Sequence, residues 1–158
     1  MFEVQCSKFI NLEPRTLNPE PRTLNPEPFF MKIERFEDLE IWQEARELCK
    51  FIRSLTRKPE FSKDFKLVGQ INGSSGSIMD NIAEGFDRDG NKEFIQFLSI
   101  SRGSNAETRS QAYRAFDSAY IDQIELDEVL NRTERLRTKI KSLMIYLKNS
   151  ERKGNKYS

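Results

Sequence analysis

Between Leu126 and Leu147 the seam positions follow one another every three or four residues without a slip: Leu126, Val129, Thr133, Leu136, Ile140, Leu143 and Leu147. Only a helix places such positions on one side, since a strand alternates by two. A strict three–four alternation suits left-handed packing of helix on helix. The seam predicts a helix over 127–149 and demands partners for it.

The rest of the chain supplies them. Ile41, Trp42, Ala45, Leu48, Cys49, Ile52 and Leu55 form one apolar stripe, predicting a helix over 38–57. Asp38 is placed to cap it, Phe36 to act as a hydrophobic staple, and Pro59 to end it. Trp42 and Cys49 are expected in the core. Phe65, Val68, Ile71, Ile78, Ile82 and Phe86 predict a second helix over 64–84. Its middle, Gly73 to Ser77, is a run of small residues. No strand-to-helix context accompanies that run, so close packing by a neighbour is expected rather than a phosphate loop. Gly85 is expected to end the helix in a left-handed conformation. Asp89 or Asn91 is expected to cap a third helix over 92–120, with Phe94, Phe97, Leu98, Ala112, Phe116 and Ala119 inward. Gly103 and Ser104 are expected opposite the small face of the second helix. The connection that follows is acidic and suits the start of the next helix.

Polar residues lie on or beside these stripes. Asn81, Glu84, Arg88, Ser104, Glu107 and Gln111 are expected to form a structural network, because buried polar groups cost free energy unless paired. Glu84 and Arg88, four apart, can also pair locally.

Residues 1–30 are of another kind. Asn11 to Pro28 carries an imperfect seven-residue repeat, and five of the six prolines lie there. Prolines at that density oppose a regular helix, and the segment is expected to be a disordered, low-complexity tail. The organisation expected is a tail over 1–30, a four-helix bundle over 31–150 and a polar C-terminal tail over 151–158. The fold class expected is all-α, an up-and-down four-helix bundle.

Composition narrows function mostly by exclusion. The 158 residues contain no histidine, which removes the commonest general base and metal ligand. No catalytic residue, cofactor site, metal site or small-molecule substrate is expected. Cys6 and Cys49 form no motif. No apolar run is long enough for a bilayer and no secretory signal is evident, so a cytoplasmic, membrane-free protein is expected.

Four motifs in order carry a resemblance: F-E-D-L-E-I-W-Q-E-A (Phe36 to Ala45), N-I-A-E-G (Asn81 to Gly85), E-F-I-Q-F-L (Glu93 to Leu98) and R-G-S-N-A-E (Arg102 to Glu107). The chain resembles the four-helix bundle family of 23S rRNA-intervening-sequence proteins. It is also similar to accessory proteins of diversity-generating retroelements. The resemblance implies a bacterial, non-enzymatic bundle assembled as a ring-shaped homopentamer. It also implies nucleic acid and a reverse transcriptase as partners. It departs from the family at Asn72, Gly73 and Ser101, which weakens any basic surface on the second helix.

The net charge is +1, yet the stretch from Asp127 to Ser158 carries nine basic and four acidic residues. Arg132, Arg135, Arg137, Lys139, Lys141 and Lys148 flank the seam. They are the residues expected to contact RNA or single-stranded DNA, a contact that repetition around a ring would multiply. The alternative is an oligomeric scaffold that binds protein alone, with these cations as solvated flanks covering the seam.

Overall fold

The computed structural model describes residues 2–4, 31–88 and 90–150. The expectations for residues 5–30, for Cys6, for Asp89 and for 151–158 lie outside the described residues. The chain divides into two compact units between Glu34 and Arg35. In the first unit β1 (Phe2–Val4) pairs antiparallel with β2 (Met31–Ile33), Phe2 opposite Ile33.

The second unit holds α1 (Glu40–Thr56), α2 (Phe65–Phe86), α3 (Asn91–Asp117) and α4 (Gln123–Asn149). Each helix packs on its neighbour in sequence, and α1 also packs on α4, which makes a four-helix bundle. Leu48, Ile52, Ile71, Ile78, Ile82, Phe94, Leu98, Leu136, Ile140 and Leu147 are fully buried along its axis. Each such side chain contributes about 1.5–3 kcal/mol relative to exposure. The α4 seam is buried at Leu126, Val129, Thr133, Leu136, Ile140 and Leu147, while Leu143 is half-buried.

The helix ends depart from expectation in instructive ways. Asp38 does not cap α1. It lies in a 3-10 turn, Phe36–Asp38, where its carboxylate accepts from Arg35, and the cap is Leu39, with no side-chain bond. Phe36 packs edge-on against Trp42 at 5.1 Å between ring centroids. Trp42 and Cys49 are half-buried rather than core. Phe65 is not inward but 83% exposed, because α2 is capped one residue earlier by Asp64, which accepts from Leu67 N.

Gly85 does not end α2 in a left-handed turn. No described glycine has positive φ, and the helix runs through to Phe86. Gly85 is needed for proximity instead. A Cβ there would sit 2.6 Å from Phe97 Cβ and 2.8 Å from Phe94 Cδ2. Asn91 does not cap α3 either. It is a buried first-turn residue whose Nδ2 donates to Leu147 O at 3.0 Å, tying α3 to the end of α4.

Helix α3 ends earlier than expected, in a Schellman motif. Tyr120 N donates to Ala115 O and Ala119 N to Phe116 O, with Ala119 at φ 58°. Ala119 therefore lies outside the helix and exposed. Helix α4 starts earlier than expected because the acidic connection caps it. Asp122 accepts from Glu125 N, and Glu125 accepts from Asp122 N. Lys58 Nζ donates to Glu125 at 2.7 Å and so ties the end of α1 to this turn.

Candidate nucleic-acid interface

The cations expected to meet nucleic acid lie on the outer flanks of α4, and most already have carboxylate partners. Lys139 Nζ donates to Glu40 and Glu44, each at 2.6 Å, and Arg135 Nε approaches Glu44 at 3.2 Å. The Glu44 side chain is 17% exposed, so this clamp between α1 and α4 is sheltered. Burial works against the Lys139 ammonium, but the two carboxylates outweigh it and raise its pKa. Arg132 Nε donates to Glu128 at 2.6 Å, and its guanidinium stacks 5.0 Å over the Phe51 ring. Arg137 is paired with Glu134 on the surface. Lys141 and Lys148 are exposed and have no ion pair among the described residues. A cation held by a carboxylate has little field left for a phosphate. The α4 flanks therefore hold the bundle together as much as they face outward.

A different basic surface runs along α1. Arg46, Lys50, Arg53 and Arg57 recur at intervals of four, three and four and are all exposed. That spacing keeps them on one side of the helix, one turn apart, over about 16 Å. Arg53 and Arg57 have no ion pair among the described residues. Arg46 lies 5.9 Å from the Trp42 ring centroid, and Lys50 pairs with Glu47. The pattern is present in the sequence. It escapes a reading that follows only the apolar stripe on the opposite face.

Two cross-helix bonds set α2 against this surface. Cys49 Sγ donates to Ser75 O at 2.9 Å, and Asn72 Nδ2 donates to Thr56 Oγ1 at 3.3 Å. These bonds lay the stretch of α2 that carries Gly69, Gly73 and Gly76 alongside the stretch of α1 that carries Lys50, Arg53 and Arg57. At all three glycines a Cβ would meet nothing within 4 Å. These three glycines of α2 thus do not admit a neighbouring helix within the bundle, and neither does Gly103, which is also open. Asp80 on α2, towards Arg46, is an acidic group of this face.

The close packing of α2 on α3 is made by hydroxyls. Ser74 Oγ and Thr108 Oγ1 are 2.8 Å apart, and Ser74 donates to Gln111 Oε1 at 2.6 Å. Ser77 Oγ and Ser104 Oγ are 2.9 Å apart, and Asn81 Nδ2 donates to Ser77 O at 2.7 Å. Ser101 Oγ donates to Ile78 O. On the other side of α3, Asn105 Nδ2 donates to Thr133 O and Arg109 Nη1 to Leu130 O. Of the residues expected in a network, Asn81, Ser104 and Gln111 are joined by these serines. Glu84 and Arg88 pair with each other outside the network, Arg88 also lying 5.2 Å over the Phe97 ring, and Glu107 is exposed with no bond among the described residues.

Near the start of α4, Phe51, Ile124, Glu125, Asp127, Glu128 and Asn131 line a shallow depression. Its carboxylates repel phosphate, which leaves the α1 face as the more favourable electrostatic surface. Among the described residues no group of three or more Cys, Asp or Glu could hold a metal ion. Among them, too, no helix is long and apolar enough to cross a membrane.

Residues 37–142 match the 23S rRNA-intervening sequence protein family. A crystal structure of a protein of unknown function from the S23 ribosomal protein family of Bacteroides thetaiotaomicron has a similar fold. Its TM-score is 0.61 at 20% identity, and the match covers 66% of this chain and 97% of that one. A comparison with curated proteins finds no match.

Proposed function

We propose, from the premise that the chain belongs to the 23S rRNA-intervening sequence protein family, that it is a non-enzymatic, homo-oligomeric nucleic-acid-binding or ribonucleoprotein accessory protein. The observation that carries the reading is that match, which covers α1 to α3 and most of α4. The chain has no histidine to serve as a general base, which is consistent with a binding role. RNA or single-stranded DNA is the partner, met through phosphates, with affinity largely independent of base sequence. A ring of subunits, five by the resemblance, lets a subunit of net charge +1 bind by repetition. A reverse transcriptase is the protein partner the resemblance adds, and neighbouring genes are where such a link would be visible.

One observation favours a second reading, an oligomeric scaffold that binds only protein. Arg132, Arg135, Arg137 and Lys139 are already engaged by carboxylates of the same chain. Titrating the protein into labelled single-stranded RNA at low and moderate salt separates the two. The nucleic-acid reading expects binding at low salt that weakens steeply as salt rises, since each neutralised phosphate releases counterion. No binding at low salt would leave the scaffold.

A further inference from the structure

We infer that the face of α1 carrying Arg46, Lys50, Arg53 and Arg57 is the surface that receives the phosphate backbone of a nucleic-acid strand. The inference rests on the nucleic-acid reading above and moves its contact surface from α4 to α1.

Charge supplies the first argument. The four cations lie on one exposed side of a helix, a turn apart, and the one acidic residue of α1 that borders them is Glu47, paired with Lys50. Glu40 and Glu44 point instead to α4, where Arg135 and Lys139 hold them. The one carboxylate bonded to the stripe is Glu47, whose pKa is lowered chiefly by its hydrogen bond from Lys50. Arg53 and Arg57 keep their full charge and their five donors each, and guanidinium groups match phosphate oxygens in pairs. The stripe reaches about 16 Å along the helix, enough for several consecutive phosphates.

Access supplies the second argument. Alongside the stretch of α1 with Lys50, Arg53 and Arg57, α2 presents glycines with open space where side chains would stand. A strand lying beside the cations meets no bulky neighbour from α2. Asp80 of α2 and Glu47, paired with Lys50, oppose it towards the Arg46 end, so the contact is strongest at Arg53 and Arg57. The α4 cations offer no comparable row, because their neighbours Glu40, Glu44, Glu128 and Glu134 alternate with them. Carboxylates also pair bidentately with arginine, so an acidic protein segment is the competing occupant that the test separates.

The test uses the full chain and a labelled poly(U) oligonucleotide. Arg53→Glu with Arg57→Glu should weaken binding at low salt by roughly tenfold or more and flatten the dependence on salt. Arg53→Gln with Arg57→Gln should weaken it less. Lys92→Glu with Arg114→Glu removes the same charge elsewhere and should cost less than about threefold. All of these side chains are exposed, and Arg114 alone has a cross-helix bond, to Gln70 at 2.9 Å, so each variant is compared after its melting and elution are matched to wild type. If wild type binds and the α1 reversal binds as tightly as the Lys92/Arg114 control, the α1 face is not the contact and the nucleic-acid reading survives alone. If polyglutamate displaces the oligonucleotide at equal charge concentration, the surface is one for acidic proteins and the inference fails. A wild type that binds no oligonucleotide removes the reading and this inference with it.

Discussion

At the scale of single residues, two positions show backbone and packing deciding what composition suggests otherwise. Gly85 sits where an N-I-A-E-G motif invites a helix stop, yet its role is contact. Phe94 and Phe97 of α3 fill the space beside it. Gly85→Ala should therefore destabilise by about 1–3 kcal/mol through overpacking, despite alanine's better helix propensity, as read by urea unfolding. An unchanged midpoint would mean that α3 can shift away at no cost. Ala119 is the converse. It is a Cβ-bearing residue at φ 58°, in the position a Schellman motif reserves for glycine. Ala119→Gly should stabilise by about 1 kcal/mol by removing that strain. A loss of stability would contradict the left-handed assignment. Neither was legible in the sequence, because each depends on where the next helix lands. The polar network was legible only in part. Asn81, Ser104 and Gln111 sit beside apolar stripes and do meet partners, whereas Glu107 lies at the same sequence spacing but turns to solvent. The decisive partners, Ser74, Ser77 and Thr108, are small residues that a pattern of hydrophobicity passes over.

At the scale of elements, the number and order of the four helices were legible from their stripes though their ends were not, and the α4 seam came closest to its observed form. The stripes say nothing about charges across a helix pair. Glu40 and Glu44 lie far from Lys139 in sequence, and counting the charges of α4 alone misses them. Their effect has a defined pH dependence. The Lys139 pKa is raised in the fold, so its contribution is complete below the unfolded lysine value of about 10.4. It is lost as pH rises through the higher folded value. Lys139→Met should cost about 1 kcal/mol at neutral pH. The gap between the two proteins should be flat to pH 9 and shrink only in the alkaline range. A gap that closed between pH 5 and 8 would show that another group controls it. The same clamp explains why the basic C-terminal third is less available than its surplus of charge suggests, and why the row on α1, with Arg53 and Arg57 in no ion pair among the described residues, stands out electrostatically.

At the scale of the whole molecule, the bundle has no metal cluster among its described residues, the chain has no histidine, and its family match covers α1 to α3 and most of α4. Its outer surface keeps large apolar side chains in solvent, among them Ile100, Tyr113, Ile124, Ile145 and Tyr146. Such groups are what an assembly would cover. The bundle was legible in the sequence because helix packing follows from side-chain periodicity. The assembly was suggested only by resemblance, since subunit contacts leave no comparable period in one chain. Both halves of the account, repetition and phosphate binding, meet in one measurement: size-exclusion chromatography with light scattering, run at low salt with and without single-stranded RNA. The protein alone should give a mass near five subunits, and RNA should elute with that assembly. A monomer from which RNA elutes separately would contradict it.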